Sequence, residues 1–122
     1  MRRITKNELE LLKICWDKKE FTAREIFEES LKFKDRKYET IKTTMERMVQ
    51  YGYLDRRKIG PVWLYTLKEP KEKFIRRLTR QFVDTVFNGN INLLHCNLFK
   101  MGKYSKEDLQ YLKKIIEEME EE

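Results

Sequence analysis

The spacing of apolar residues switches from helical to alternating partway along this chain and back again beyond Pro70, and that switch limits the folds open to it. Over residues 5–52 apolar side chains recur at helical spacing, and over residues 53–67 they sit in two short alternating segments. Thr5-Lys6-Asn7-Glu8 sets a hydroxyl and, three residues on, a carboxylate where each can bond the other's backbone N–H. Leu9, Leu12 and Trp16 follow, which predicts a first helix to about residue 18. Thr22-Ala23-Arg24-Glu25 repeats the device, and Ala23, Ile26, Phe27, Ser30 and Leu31 then share one helical face. After a polar connector over residues 32–37, Ile41, Met45, Met48 and Val49 give the same spacing. This third helix is expected over about 38–51, ending at Gly52, a residue that tolerates the left-handed backbone of a helix stop. Tyr53-Leu54-Asp55-Arg56-Arg57-Lys58 and Val62-Trp63-Leu64-Tyr65-Thr66-Leu67 flank Ile59-Gly60-Pro61, the pattern of a β-hairpin with Gly60 in the turn. Three helices and a hairpin in this order make a winged helix-turn-helix, with the second and third helices as the pair.

Beyond Pro70 the pattern is helical again. Ile75, Leu78, Phe82 and Val86 form one stripe of a fourth helix, with Phe74, Val83 and Phe87 off it. Asn88-Gly89-Asn90 interrupts, and a short apolar helix over about 91–101 carries Leu94, Leu98 and Met101. Ser105-Lys106-Glu107-Asp108 reads as another N-cap, before Leu109, Leu112, Ile116 and Met119 stepping by three and four. Three such amphipathic helices could hardly make an independent core, so they read as an arm that buries its apolar faces against a second copy. The expected fold is mostly α with a small β-hairpin wing: a winged helix-turn-helix domain over 1–70 and a C-terminal helical dimerisation arm over 71–122. Its dimerisation residues would be Ile75, Leu78, Phe82, Val86, Leu94, Leu98, Leu109, Leu112 and Ile116.

Charge follows the same division. The chain has 27 Lys and Arg against 21 Asp and Glu, a net +6. Residues 1–70 hold 17 against 12, net +5, and residues 71–122 hold 10 against 9, net +1. A basic excess concentrated in the helix-turn-helix half points to a polyanion. Residues 71–80 add a small basic patch, and Glu117-Glu118-Met119-Glu120-Glu121-Glu122 closes the chain acidically. At 122 residues a large multidomain enzyme is excluded, and the chain needs no disulfide or metal to fold. A Gly-rich phosphate loop and a nucleophile motif are both absent, and His95 is the one histidine, so the chain reads as no enzyme and no cofactor is expected. The basic N-terminus, Met1-Arg2-Arg3, meets Glu8 and Glu10 before any apolar run, unlike a signal peptide, and no stretch is apolar enough to span a bilayer. Cytoplasmic localisation is expected, with no membrane partner. Cys15, beside the apolar stripe of the first helix, reads as a buried structural thiol. His95 and Cys96 point about 100° apart on a helix and cannot readily share a tetrahedral metal.

With its apolar side inward, the third helix turns Glu39, Lys42, Thr43, Glu46, Arg47 and Gln50 outward. A recognition helix inserts such a face into the major groove. Lys37, Tyr38, Thr40, Lys42, Thr43 and Arg47 are the candidate DNA contacts here, although Glu39 and Glu46 would face phosphates. Arg56, Arg57 and Lys58 precede the hairpin tip, where a wing would meet the backbone or the minor groove. A charged edge strand that guards against aggregation is the competing explanation for these three. Trp63 and Tyr65 alternate with Val62 and Leu64, so one pair points inward, and core packing of Trp63 is favoured over base stacking. The alternatives left open are a protein-interaction module whose basic face binds an acidic partner, and a metal- or redox-responsive repressor.

These residues resemble the BlaI/MecI/CopY family of bacterial repressors, also called penicillinase repressors. The likeness runs through Glu8-Leu9, Ile14-Cys15-Trp16, Thr22-Ala23-Arg24-Glu25-Ile26, Thr40-Ile41-Lys42-Thr43, Arg47-Met48, Gly52-Tyr53-Leu54 and Tyr65-Thr66-Leu67. It implies a homodimeric winged-helix repressor on an inverted-repeat operator of double-stranded DNA, its C-terminal helices forming the dimer. In the β-lactam-responsive branch a sensor-linked protease cuts an Asn-Phe bond within those helices. The corresponding bond here is Asn97-Leu98, with Leu98 in place of Phe. The copper-responsive branch carries a tail of Cys-x-Cys pairs, whereas this chain ends in glutamates.

Overall fold

The computed structural model describes residues 3–122, so Met1 and Arg2 of the basic N-terminus lie outside the described residues. The element order is α1 (Lys6–Cys15), α2 (Ala23–Ser30), α3 (Tyr38–Gln50), β1 (Leu54–Ile59), β2 (Val62–Leu67), α4 (Lys71–Phe87), α5 (Ile91–Lys100) and α6 (Lys106–Glu120). The chain divides into two compact units, Met1–Ile75 and Arg76–Glu122. The fold is mostly helical with one antiparallel hairpin, as the sequence led us to expect.

Local chemistry accounts for most of the boundaries. The Glu8 N–H donates to Thr5 Oγ1 at 3.2 Å, capping α1. At α2 the full box forms: Glu25 N–H donates to Thr22 Oγ1, and Glu25 Oε1 accepts from Thr22 N–H, both at 3.2 Å. α3 stops in a Schellman motif, with Gly52 at φ 83°, its N–H on Val49 O at 3.2 Å and the Tyr53 N–H on Met48 O at 2.9 Å. The hairpin pairs Leu54 with Leu67 through to Ile59 with Val62. Its two-residue turn puts Gly60 at φ 59° ahead of Pro61, the residue order of a type II′ turn.

The first unit has a core drawn from every element before α4: Leu11, Leu12 and Cys15; Phe21, Ala23 and Ile26; Ile41, Met45 and Met48; Tyr53, Leu54 and Tyr65. Two expectations are corrected here. α1 ends at Cys15 with Trp16 as its C-cap, short of residue 18, and its inward face is Glu8, Leu11, Leu12 and Cys15 instead of Leu9, Leu12 and Trp16. Leu31, expected inside with the α2 stripe, caps α2 and is exposed. One feature has no counterpart in the sequence pattern. Phe21, in the turn before α2, forms a single antiparallel bridge to Tyr65, with N···O distances of 3.1 and 2.8 Å in the two directions. The first turn of α4 also belongs to this unit, because Phe74 is buried there against Trp16 and Tyr53, with ring centroids 6.2 and 6.1 Å apart.

In the second unit Asn88 and Gly89 both take left-handed backbone, φ 52° and 79°, which ends α4. The Asn90 side chain then caps α5 by accepting from the Leu93 N–H at 3.0 Å. Ser105 and Asp108 form a reciprocal box at α6, each bond 3.0 Å. Val83 is the one residue of this unit that is buried among the described residues.

The two thiols differ as burial dictates. Cys15 is fully enclosed, and desolvation pushes its thiol up to about 12; nearby Lys18 opposes this and Glu29 adds to it. Cys96 is exposed. In the native protein one thiol should therefore react with a disulfide reagent near pH 8, and two in denaturant; two fast-reacting thiols in the native state would contradict this burial. The Cys15 contribution to stability is intact below the ordinary thiol value of 9.0 and is lost as pH rises toward 12, because the unfolded thiol ionises first.

Candidate nucleic-acid interface

α3 presents Glu39, Thr40, Lys42, Thr43, Arg47 and Gln50 to solvent, opposite its buried Ile41, Met45 and Met48. Lys37 is exposed at the N-cap and makes no side-chain cap bond, so the first-turn amides of α3 carry no side-chain acceptor there. The partial positive charge of that helix end is thus added to the Lys37 ammonium. Lys34, Arg36, Lys37 and Thr40 line a shallow groove of about 730 Å³ together with Asn7 and Leu11, which widens the basic surface beside the start of α3. Arg36 itself is ion-paired with Glu10. The Thr44 hydroxyl donates to Thr40 O at 2.8 Å, so Thr44 bonds back along the helix and Thr40 and Thr43 keep their hydroxyls on the outward face.

Tyr38, the first residue of α3, is half-buried. Its ring meets Phe27 edge-on at 5.7 Å and lies beneath the Arg24 guanidinium at 4.2 Å. The hairpin is joined to α3 through one carboxylate. Glu46 accepts the Tyr65 hydroxyl at 2.6 Å on one oxygen and pairs with Arg56 on the other. Burial and the neighbouring Glu46 carboxylate hold the Tyr65 phenol well above its ordinary value, so it stays a donor throughout the working pH range. Arg56 in turn lies 4.2 Å above the Trp63 ring, with the Lys58 ammonium 5.4 Å from the same ring. Arg57 points the other way and pairs with Glu20 at 2.6 Å.

This arrangement changes the reading of Glu46, of Trp63 and of the wing cations. Glu46 does not stand on an open outward face; it is half-buried and turned to the hairpin, which removes its expected clash with phosphate. Tyr65, not Trp63, is the core aromatic of the hairpin, while half-exposed Trp63 supports Arg56 and Lys58. Arg56 and Arg57 are both ion-paired, so of the three wing cations Lys58 is the one with no ion pair among the described residues. Arg24 and Phe21 were not singled out by sequence reasoning. Arg24 is legible only as a spacer in the Thr22-Glu25 box, and Phe21 carries no periodic signal at all.

The nine apolar residues expected in the dimer arm lie on α4, α5 and α6. Ile75, Phe82, Val86, Leu98, Leu109 and Ile116 are exposed, and Leu78, Leu94 and Leu112 half-buried. Asn97 and Leu98 fall inside α5, where Asn97 Nδ2 donates to Leu93 O at 2.8 Å. Among the described residues no group of three or more His, Cys, Asp or Glu is placed to hold a metal ion, and no helix is long and apolar enough to cross a membrane.

The chain is similar in sequence and fold to several known proteins. The sequence profile described as "Penicillinase repressor" matches residues 4–118. The penicillinase repressor of Bacillus licheniformis is 28% identical over 116 residues, covering 95% of this chain and 91% of that protein. The methicillin resistance regulatory protein MecI of Staphylococcus aureus (strain N315) is 27% identical over 113 residues, 93% of this chain and 92% of its own. Among solved structures, the DNA binding domain of the repressor BlaI aligns with a TM-score of 0.52 and 28% identity over 58% of this chain and 90% of that domain. The Bacillus licheniformis BlaI monomeric form, solved in complex with the blaP half-operator, aligns with a TM-score of 0.50, again 28% identical, over 58% of this chain and 87% of its own.

Proposed function

The chain belongs to the penicillinase repressor family, a family of transcriptional repressors and not of enzymes, and from that premise we propose that it represses transcription by binding operator DNA. The observation that carries the reading is the exposed face of α3, with Thr40, Lys42, Thr43 and Arg47 outward and Glu46 fastening the hairpin beside them. α3 would enter the major groove with Lys37 and Tyr38 at its leading end, and the hairpin would lie on the flanking backbone with Lys58 toward phosphate. Arg56 and Arg57 are already paired with carboxylates, so they contribute less to the local field than an unpaired lysine. A solved relative in its monomeric form on a half-operator supports the same division: one reader serves one half-site.

Residues 1–70 are then the reader, and residues 71–122 the arm that joins two copies on an inverted repeat. What supports the arm is its apolar surface. Val86, Ile91 and Ile116 keep 56%, 57% and 52% of their area exposed, and Met101 and Met119 more, which a lone chain would leave against water. Relief of repression would come from separating the copies, since two linked readers gain roughly 10²–10⁴ in avidity over one. A cut at Asn97-Leu98 by a sensor-linked protease would divide α5 and do this; the backbone there must first unwind, because the bond lies within the helix. Such a repressor would work in the cytoplasm, where its operator DNA lies.

The test is selection of bound sequences from random duplex DNA with the full chain. An inverted repeat among the winners supports the reading; unselected, steeply salt-dependent binding with no sequence in common would sink it. Arg47→Ala should then weaken specific binding by about 1–3 kcal/mol, provided the guanidinium reads a base. Competition titration with random duplex checks this, and an unchanged ratio of specific to nonspecific affinity reassigns Arg47 to phosphate or solvent.

A further inference from the structure

In the sequence Arg24 is only a spacer of the Thr22-x-x-Glu25 box, but the fold gives it a definite place. It sits on the first turn of α2, and its guanidinium carbon lies 4.2 Å from the ring centre of Tyr38 and 5.5 Å from that of Phe27. Tyr38 opens α3, so the cluster joins the N-terminal ends of both helices of the helix-turn-helix pair. Five other cations of this unit, Lys18, Arg36, Arg56, Arg57 and Lys68, are ion-paired with Glu29, Glu10, Glu46, Glu20 and Asp55. Arg24 is exposed, and among the described residues no carboxylate pairs with it. Aromatic contact holds it instead, and this matters chemically. A guanidinium lying over a ring uses its face there and keeps the in-plane N–H donors along its edge free for hydrogen bonds.

When a helix-turn-helix docks, the first helix of the pair crosses the phosphate backbone while the second enters the groove. We propose that Arg24, held over Tyr38, is a phosphodiester-binding residue of this chain, clamping the DNA backbone beside the base pairs met by the first turn of α3. Tyr38 is then a positioning residue: one side of its ring faces the guanidinium and Phe27 meets it edge-on, so it aims Arg24 instead of stacking on a base. The inference rests on the DNA-binding reading above.

The experiment is a fluorescence-anisotropy titration of full-length variants against the selected duplex and a random duplex over a range of salt. Arg24→Ala should weaken both duplexes alike, by roughly tenfold at moderate salt, and make the slope of log K against log salt shallower by about 0.9, one phosphate's worth. Tyr38→Phe, which keeps a ring beneath the cation, should keep the wild-type salt slope whatever its hydroxyl adds to affinity. Tyr38→Ala should lose part of the affinity, and should add nothing further in an Arg24→Ala background. An unchanged salt slope in Arg24→Ala overturns the proposal, and so does a loss confined to the selected duplex, which would mean a base contact. Additive losses from the two alanine variants overturn the positioning role of Tyr38. A wild-type chain that selects no sequence refutes the DNA-binding reading itself, an outcome separate from all of these.

Discussion

Leu94→Asp is expected to lower affinity for a full inverted-repeat operator by about 10²–10⁴, while affinity for an isolated half-site stays as it was. Leu94 is half-buried on α5 and lines a pocket of about 500 Å³ with Val83 and Ile91, beside Arg76, Arg80, Asp84 and His95. A carboxylate placed there, whether hydrated or drawn to Arg76 and Arg80, would have to be desolvated when a second copy covers this apolar stripe, and that opposes association. The reader is untouched, because its core is built from residues of the first unit. Leu98→Asp should act in the same direction. Gel-shift titration on whole and half operators, with sedimentation to follow the dimer, measures the effect. If mutant and wild type bind the whole operator equally, linkage through this arm is not what gives the chain its affinity.

The second large effect is on stability. Phe21→Ala should destabilise the first unit by about 3–5 kcal/mol, the cost of emptying a large buried aromatic site. Phe21 is fully buried, its ring faces Tyr65 at 6.4 Å with an interplanar angle of 15°, and its backbone bridges the same residue. The bridge can survive the substitution, but the packed ring cannot. Against a typical total of 5–15 kcal/mol this is a large fraction. Urea unfolding of the full chain followed by tryptophan fluorescence reports on this unit alone, because the two tryptophans, Trp16 and Trp63, both lie in it. An unfolding free energy within about 0.5 kcal/mol of wild type would show that the ring is not part of the cooperative core.

What could be read in advance follows the range of the interactions. Helix starts at Thr5, Thr22 and Ser105 and stops at Gly52 and Asn88-Gly89 depend on residues within a few positions of one another, and the sequence displays them. The hairpin is legible for the same reason, since Gly60-Pro61 and the alternation around it are local. The Phe21-Tyr65 bridge is one residue long, has no period and joins distant parts of the chain. Glu46 illustrates the other limit. Helical spacing tells which side of α3 is away from Met45 and Met48, but not that Tyr65 and Arg56 arrive beside it. The same holds for Trp63 and for Arg24, whose neighbours come from other elements. The family likeness identified the class of protein, while the ion pairs that decide which cations remain available appear only once the fold is drawn.

Those ion pairs also bear on how fast the protein finds its target. Because Glu20 and Glu46 damp the hairpin arginines, the unpaired positive charge of the first unit includes Arg24, Lys37, Lys42 and Arg47, around α3 and its leading end. If α3 is the face that meets DNA, as proposed above, this charge would turn the molecule in the field of the polyanion before the two surfaces meet, and fewer collisions would be wasted. On that reading Glu20 and Glu46, which look unfavourable beside a polyanion, would help set the orientation in which the protein arrives.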